Sequence, residues 1–172
     1  MSYAARAENL GRGLRAAAPT LIGFAGVILW ATPLRLAEGA VPTPVLPLVV
    51  VYYWSIYSPS NLPAFGIFLI GLFQDLLTGG PLGLWPTIYL LASYLVATQR
   101  SYFHGREQRV VWLGFAVIAF ISAVVLWSVM SLMSGAPLPV RWLAVQMAGT
   151  ILLYPLIAGA FAEFHRRVIV EV

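Results

Sequence analysis

Long apolar runs with almost no charged residues limit the folds open to this chain more than any other feature. Of its 172 residues, 60% are hydrophobic and only 9% are charged, whereas soluble domains carry about a quarter charged residues. A soluble fold of this size cannot bury so much apolar surface, so lipid must surround a large part of it. We therefore expect an integral membrane protein.

Charged residues and Gly/Pro clusters divide the apolar sequence into six segments, and a helical crossing takes ~20 residues. We predict an all-α polytopic protein with six transmembrane helices in one membrane domain, 1–172. This domain would comprise an amino-terminal segment 1–18, a six-helix bundle 19–162 and a tail 163–172. The predicted spans are 19–34, 41–57, 62–77, 82–99, 110–134 and 141–162.

The arginines predict the orientation, because short cytoplasmic loops of membrane proteins are enriched in Lys and Arg. All ten basic residues are arginines. If the amino terminus lies in the cytoplasm, only Arg35 and Arg141 fall on the outer side. Segment 1–18 and tail 163–172 are then both cytoplasmic. The arginines on the inner side are Arg6, Arg12, Arg15, Arg100, Arg106, Arg109, Arg166 and Arg167.

The same arginines bear on the choice of partner. They lie between apolar runs rather than along one stripe, which indicates topology rather than nucleic-acid binding. The inner clusters could also contact anionic lipid headgroups or an acidic partner, although topology alone suffices to explain them. These candidate contacts are Arg100, Arg106, Arg109, Arg166 and Arg167.

Residue sets for catalysis or metal binding are missing from the sequence. There is no cysteine, which excludes disulfides, thiol catalysis and thiolate metal sites. No metalloprotease motif, nucleophile–base set or carboxylate pair is present. His104 and His165 lie in the basic segments without a second ligand at helical spacing, so we interpret them as solvated loop residues. We expect no enzymatic activity, no metal and no cofactor.

The second predicted span begins with three prolines, which are typical of the start of a helix. It ends in a cluster of aromatic residues. Aromatic residues are enriched where a membrane helix meets the headgroup region. We therefore predict that this cluster lies at the membrane–water interface. Its members are Tyr52, Tyr53, Trp54 and Tyr57.

Asp75 is the one acidic residue inside a predicted span. A carboxylate at membrane depth is costly unless it is paired, hydrated or hydrogen-bonded. Near the outer end of its span, it can accept hydrogen bonds from the amides of the Gly79-Gly80 reversal. It can also pair with Arg35 or Arg141. We favour a structural or partner-interface role over proton or ion transport, because a relay needs several protonatable groups in series.

Glycines surround this aspartate. Gly79 and Gly80 can adopt positive φ and end the helix, and Gly83 allows close backbone approach as the next span begins. A phosphate-binding loop is excluded, because there is no lysine and no Walker spacing. The candidate structural or interface motif consists of Gly71, Gln74, Asp75, Gly79, Gly80 and Gly83.

The stretch GLFQDLLTGGPLG at 71–83 resembles the signature of the rod shape-determining protein MreD family. That family carries the pattern G-L-x-Q-D-x-x-x-G-x-x-L-G between two adjacent membrane helices. The chain length, the number of spans and the arginine-rich loop after the fourth span are also similar to the family. The matching residues are Gly71, Leu72, Gln74, Asp75, Gly79, Leu82 and Gly83.

The resemblance implies a non-enzymatic component of the bacterial inner membrane that belongs to the cell-elongation complex and helps to organise peptidoglycan synthesis and rod shape. The implied direct partner is MreC and, through MreC, also MreB, RodA and a penicillin-binding transpeptidase. The implied fold is similar to the six-helix substrate-binding subunit of energy-coupling-factor transporters. On this basis, we expect the turn after Asp75 to hold the outer ends of spans three and four in the shape against which MreC docks.

The alternative is a small-molecule-binding membrane subunit of a vitamin transporter of the energy-coupling-factor type. It would use the same fold with a pocket on the outer side. The polar residues expected on that side are Arg35, Glu38, Asp75 and Arg141, and little else. A retained vitamin-like ligand would favour this alternative, and a stoichiometric MreC chain would favour the elongation complex.

Overall fold

The computed structural model describes residues 3–32, 43–103 and 107–165, with side chains for 17–32, 43–101 and 107–163. Within these ranges the chain is helical, without β-strands, which confirms the predicted all-α class. A short 3-10 turn, Pro59–Asn61, separates the second and third α-helices. The six α-helices are α1 (Tyr3–Ala31), α2 (Leu46–Tyr57), α3 (Ala64–Thr78), α4 (Leu84–Phe103), α5 (Gln108–Ser134) and α6 (Val140–His165).

Each predicted span overlaps one helix, but the helices differ in length. Two segments, Gln108–Ser134 and Val140–Glu163, are long and apolar enough to cross a membrane by length and composition. The apolar helices Ala17–Ala31, Leu46–Tyr57 and Ala64–Thr78 are shorter. Crossing of the membrane by all six helices therefore stays a prediction.

The first helix is longer than the predicted span. It begins at Tyr3 rather than at 19, and Pro19 lies inside it. The segment before Pro19 is rich in Ala, Leu and Arg, which favour helix even in a polar segment. The helix ends at Ala31 rather than at 34, and the hydroxyl of Thr32 donates to the carbonyl of Ile28 (2.7 Å). Hydropathy marked the apolar part of α1 but not the whole helix.

α2 is the central helix, and most of its aromatic residues face protein. Tyr52, Tyr53 and Trp54 are buried in the protein core, and of the four aromatic residues of the predicted belt only Tyr57 is exposed. Their position at the level of the membrane–water interface stays a prediction. The ring of Tyr52 packs edge-on against Phe115 of α5, with centroids 5.2 Å apart. Because neighbouring helices cover α2, its aromatic side chains face protein rather than headgroups.

α1 and α3 lie side by side and run in the same direction. A Cβ placed on Gly66 would lie 2.9 Å from the hydroxyl of Thr20, so the helices are close at this level. Further along both helices, Phe24 packs edge-on against Phe73, with centroids 5.3 Å apart. Residue numbers increase together at the two contacts, so the helices are parallel and in register.

α2 and α6 are also parallel. The amide of Val45, just before α2, donates to the hydroxyl of Thr150 (2.9 Å). Near the other end of α2, Tyr53 packs against Phe161 (5.4 Å between centroids). The hydroxyl of Thr150 in turn donates to the carbonyl of Gln146 (2.7 Å). α6 therefore supplies a side-chain cap for the amino terminus of α2, which has none of its own.

α4 runs parallel to α2, and its contacts define the two ends of the bundle. The hydroxyl of Ser55 donates to that of Ser93 (3.0 Å), and the guanidinium of Arg100 donates to the carbonyl of Ile56 (3.1 Å). Helices α2, α4 and α6 thus run in one direction, opposite to α1 and α3. We call the end where α2 and α4 begin the Asp75 end, and the opposite end the Arg100 end.

Candidate functional site: a carboxylate-capped turn

Asp75 holds the junction between α3 and α4. It lies in the last turn of α3 and is 1% exposed. Its carboxylate accepts two backbone hydrogen bonds, from the amide of Gly83 (2.6 Å) and from that of Trp85 (3.1 Å). α4 begins at Leu84, so Asp75 caps the amino terminus of a helix other than its own. The negative charge also complements the positive end of the α4 dipole.

The carboxylate does not bind the amides that the sequence suggested. Gly79 and Gly80 were the expected donors, but the amide of Gly79 donates to the backbone carbonyl of Asp75 (3.0 Å). The α-helix therefore closes its own last turn with a backbone bond, and the side chain is free to reach across to α4. The partners lie eight and ten residues downstream, at Gly83 and Trp85.

Glycine is required at two positions of the turn by backbone conformation. Gly79 has φ = 64° and Gly83 has φ = 95°. Residues with a side chain are strained at such positive φ values. Gly79 ends α3 in the left-handed conformation, and Gly83 turns the chain so that its amide faces Asp75. Gly80, which was predicted to share this role, is not among the glycines with positive φ.

Gly71 brings the backbones of α3 and α4 into direct contact. A Cβ at this position would lie 2.5 Å from the Cα of Pro86 and 2.8 Å from the carbonyl carbon of Trp85. No side chain fits in this space, because the atoms opposite are backbone. Pro86 occupies the first turn of α4, where amide groups have no partner within the helix, so its missing N–H is tolerated.

Gln74 is the second buried polar residue of the motif. Its Oε1 accepts a hydrogen bond from the hydroxyl of Tyr89, whereas its Nε2 is buried without a hydrogen-bond partner. Aromatic rings of two helices surround this region: Trp30 of α1 lies 5.9 Å from Trp85, and Trp85 lies 5.5 Å from Tyr89, between centroids. The buried amide thus faces a wall of aromatic side chains at the Asp75 end.

The arginines differ in their contacts and exposure. Arg100 donates to the carbonyl of Ile56 in the last turn of α2, where a cation is favourable. Arg109 and Arg141 are exposed, and Arg141 lies 5.7 Å from the ring centroid of Trp142. The pairing of Asp75 with an outer arginine and the lipid contacts of the inner arginines stay predictions. Outside the described residues lie Arg35, Arg106, Arg166 and Arg167, together with Glu38 and His104.

Sequence reasoning missed three residues of the site, namely Trp30, Trp85 and Tyr89. Trp85 and Tyr89 are one helical turn apart on α4, which is a signal for a shared face. Trp30 carried no local signal, because its contact with Trp85 depends on the packing of α1 against α4. In the part of the chain that the structure describes, no group of three His, Cys, Asp or Glu side chains could hold a metal ion.

The fold is a helical bundle with the composition of a membrane protein. Its buried carboxylate caps the amino terminus of a helix. The family model for rod shape-determining protein MreD matches residues 17–163, most of the chain. The chain therefore belongs to the MreD family, a family of membrane proteins that determine cell shape and are not known as enzymes. A role in rod-shape determination follows. No curated protein and no solved structure matched this chain.

Proposed function

We propose that this protein is a non-enzymatic inner-membrane component of the cell-elongation complex that binds MreC and helps to organise peptidoglycan synthesis. The observation that carries the proposal is the double hydrogen bond of Asp75 to Gly83 and Trp85. A buried acid with both oxygens bound to backbone amides fixes the shape of a turn. MreB, RodA and a penicillin-binding transpeptidase would be reached through MreC.

The proposed docking surface is the exposed side of the turn. Leu76 and Leu82 flank the buried carboxylate and are 64% and 70% exposed. The turn residues between them carry no charged side chain. Such a surface loses little free energy when water is removed from it, because the charge of Asp75 is already hydrogen-bonded inside the protein. The surface therefore fits an apolar face of MreC. Clamping of the turn by Asp75 reduces the entropy lost on binding.

Six crossings with both termini in the cytoplasm complete the proposal. The alternation of helix direction supports it, because α1 and α3 are antiparallel to α2, α4 and α6. The position of Arg100 and Arg109 at one end of the bundle supports a cytoplasmic Arg100 end. The Asp75 turn would then face the periplasm. At the cytoplasmic end, the inner arginines would contact anionic headgroups. Nucleic acid is not a partner.

One observation favours the second candidate, a small-molecule-binding subunit of a transporter of the energy-coupling-factor type. The Nε2 atom of Gln74 is buried without a partner beside the rings of Trp85 and Tyr89. A few polar groups within aromatic walls are typical of small-molecule sites. A groove of about 490 Å³ between α4 and α5 has only Thr98 and Gln99 as polar lining residues, and a groove of about 420 Å³ between α5 and α6 is lined by apolar side chains alone.

Co-purification with MreC tests the proposal. Asp75→Asn and Gly79→Leu should reduce the MreC recovered with the protein while membrane insertion is unchanged. Gly135→Leu is the matched control for Gly79→Leu, because Gly135 ends α5 with a similar φ of 67°. It should leave MreC recovery intact. Normal MreC recovery with both turn variants contradicts the docking surface. A native mass spectrum with a retained small ligand and no MreC favours the second candidate.

A further inference from the structure

The faces of the bundle differ in apolar height. α3 has 15 residues, and the apolar part of α1, Ala17–Ala31, is equally long. At 1.5 Å per residue, each is about 22 Å long. The apolar segments of α5 and α6 have 27 and 24 residues, which corresponds to about 40 and 36 Å. The hydrocarbon core of a bilayer is about 30 Å thick, so α3 and the apolar part of α1 are too short for it.

These two short apolar segments cannot extend each other. The contacts of Thr20 with Gly66 and of Phe24 with Phe73 place α1 and α3 in register, so their apolar parts cover the same depth. The Asp75 clamp and the left-handed Gly79 fix the end of α3, so this helix cannot grow by a turn to match a thicker bilayer. The lipid must therefore adapt to the protein on this face.

The difference in height lies mainly at the Asp75 end. A Cβ on Gly26 would lie 3.5 Å from the nitrogen of Pro47, at the start of α2, and Thr150 binds the amide of Val45 beside it. Gly26 and Thr150 are therefore at one level. Beyond this level α1 continues for five residues to Ala31, about 8 Å, and α6 for ten residues to Val140, about 15 Å.

The projecting part of the α5–α6 hairpin is suited to lipid rather than to water. Val140, Trp142 and Val145 of α6 and Leu132 of α5 are exposed there. Arg141 is the one charged residue of this part of α6, and at the tip of the helix a long cationic side chain can extend to the headgroups. α5 carries no charged residue from Val110 to Ser134. A helix that projects into water has a polar outer face. The hairpin thus needs hydrocarbon about 7 Å beyond the level at which α1 ends.

We propose that the bilayer around this protein is stepped: it is thinner beside α1 and α3 than beside α5 and α6, and the leaflet at the Asp75 end carries the difference. The α1–α3 surface then fits short or disordered acyl chains. This inference rests on the proposed six crossings and does not depend on MreC. Local thinning of a bilayer has a modest cost, so the packed bundle can impose it.

Depth measurements with spin labels test the step, and the absence of native cysteine makes single labels simple to place. The test pair is Leu76→Cys on α3 and Val140→Cys on α6, both exposed, which differ in height by about 10 Å along the bundle. In vesicles of 18-carbon monounsaturated phosphatidylcholine, the label depths should differ by less than half of this height. The full difference of about 10 Å means a flat bilayer and overturns the proposal.

A second pair controls for tilt. Phe65→Cys on α3 and Ala160→Cys on α6 are exposed positions at similar height near the Arg100 end, and their labels should report equal depths. An offset in this pair equal to that of the test pair means that the bundle tilts in a flat bilayer, which also overturns the step.

Topology is measured separately with an impermeant thiol reagent on sealed vesicles. Ser60→Cys in the 3-10 turn before α3 and Thr78→Cys at the end of α3 should react from opposite sides. If both cysteines react from the same side, the proposed six crossings are wrong. If they react from opposite sides but the label depths indicate a flat bilayer, only the stepped bilayer is wrong. Loss of MreC binding changes neither readout.

Discussion

The indole of Trp112 in α5 donates a hydrogen bond to the carbonyl of Ile151 in α6, at 2.8 Å. Pro155 lies four residues after Ile151 and has no N–H, so the helix itself leaves this carbonyl without its usual donor. The side chain of one helix thus replaces a backbone bond that the sequence of another helix has removed. The bond joins the two longest apolar helices.

Trp112→Phe should therefore destabilise the bundle. It leaves the partly buried carbonyl of Ile151 without a donor, which costs about 1–3 kcal/mol. The measurement is the free energy of unfolding in mixed micelles titrated with a denaturing detergent. Trp142→Phe is the control, because Trp142 is exposed, and it should change stability little.

The same bond predicts non-additivity. Pro155→Ala restores an N–H that can reach the carbonyl of Ile151, so Trp112→Phe should cost less in the Pro155→Ala background than in the wild type. Equal costs in both backgrounds would mean that Pro155 and Trp112 act independently.

The Asp75 clamp predicts a local change in amide exchange. In Asp75→Asn, one of the two acceptor oxygens becomes an amide group that cannot accept a hydrogen bond. The amides of Gly83 and Trp85 should then exchange hydrogen at least several-fold faster, while those in the middle of α5 keep their protection. Hydrogen-exchange mass spectrometry of peptides covering 79–90 gives the readout. Unchanged exchange in this peptide would argue against the clamp.

Replacement of glycine by alanine should have opposite effects on stability at Gly71, where α3 contacts α4, and at Gly159 in α6. Gly71→Ala places a methyl group against the backbone of Pro86 and should destabilise the protein by about 1–3 kcal/mol. Gly159→Ala in α6 meets no atom within 4 Å and should stabilise its helix by about 0.5–1 kcal/mol. Thermal unfolding of both variants in the same detergent compares them. If Gly71→Ala is as stable as the wild type, the two backbones are further apart than described.

The cap of α2 predicts the effect of removing one hydroxyl. Thr150→Val keeps the shape of the side chain but leaves the amide of Val45 without its acceptor, so stability should fall by about 0.5–2 kcal/mol. Thr98→Val is the matched control, because the exposed hydroxyl of Thr98 bonds within its own helix. A loss of equal size in the two variants would show that the hydroxyl of Thr150 has no special role.

Particular residues show how far sequence reasoning reached. Asp75 was found because a carboxylate in an apolar run is conspicuous, and the glycines after it predicted a reversal that does exist. The donors were misplaced, because the distance from Asp75 to Gly83 depends on how the turn folds back. The burial of the aromatic residues of α2 was missed for a similar reason: an apolar helix covered by protein and one covered by lipid have the same composition.

The sequence by itself determined the helical class, the six apolar segments, the buried acid and the resemblance to the family to which the chain belongs, because hydropathy and short motifs are local properties of the chain. Only the tertiary structure decided which helix lies in the centre, which amides the carboxylate binds, and which carbonyl Trp112 reaches. Those outcomes depend on the faces that helices far apart in sequence present to one another, and no local pattern encodes them.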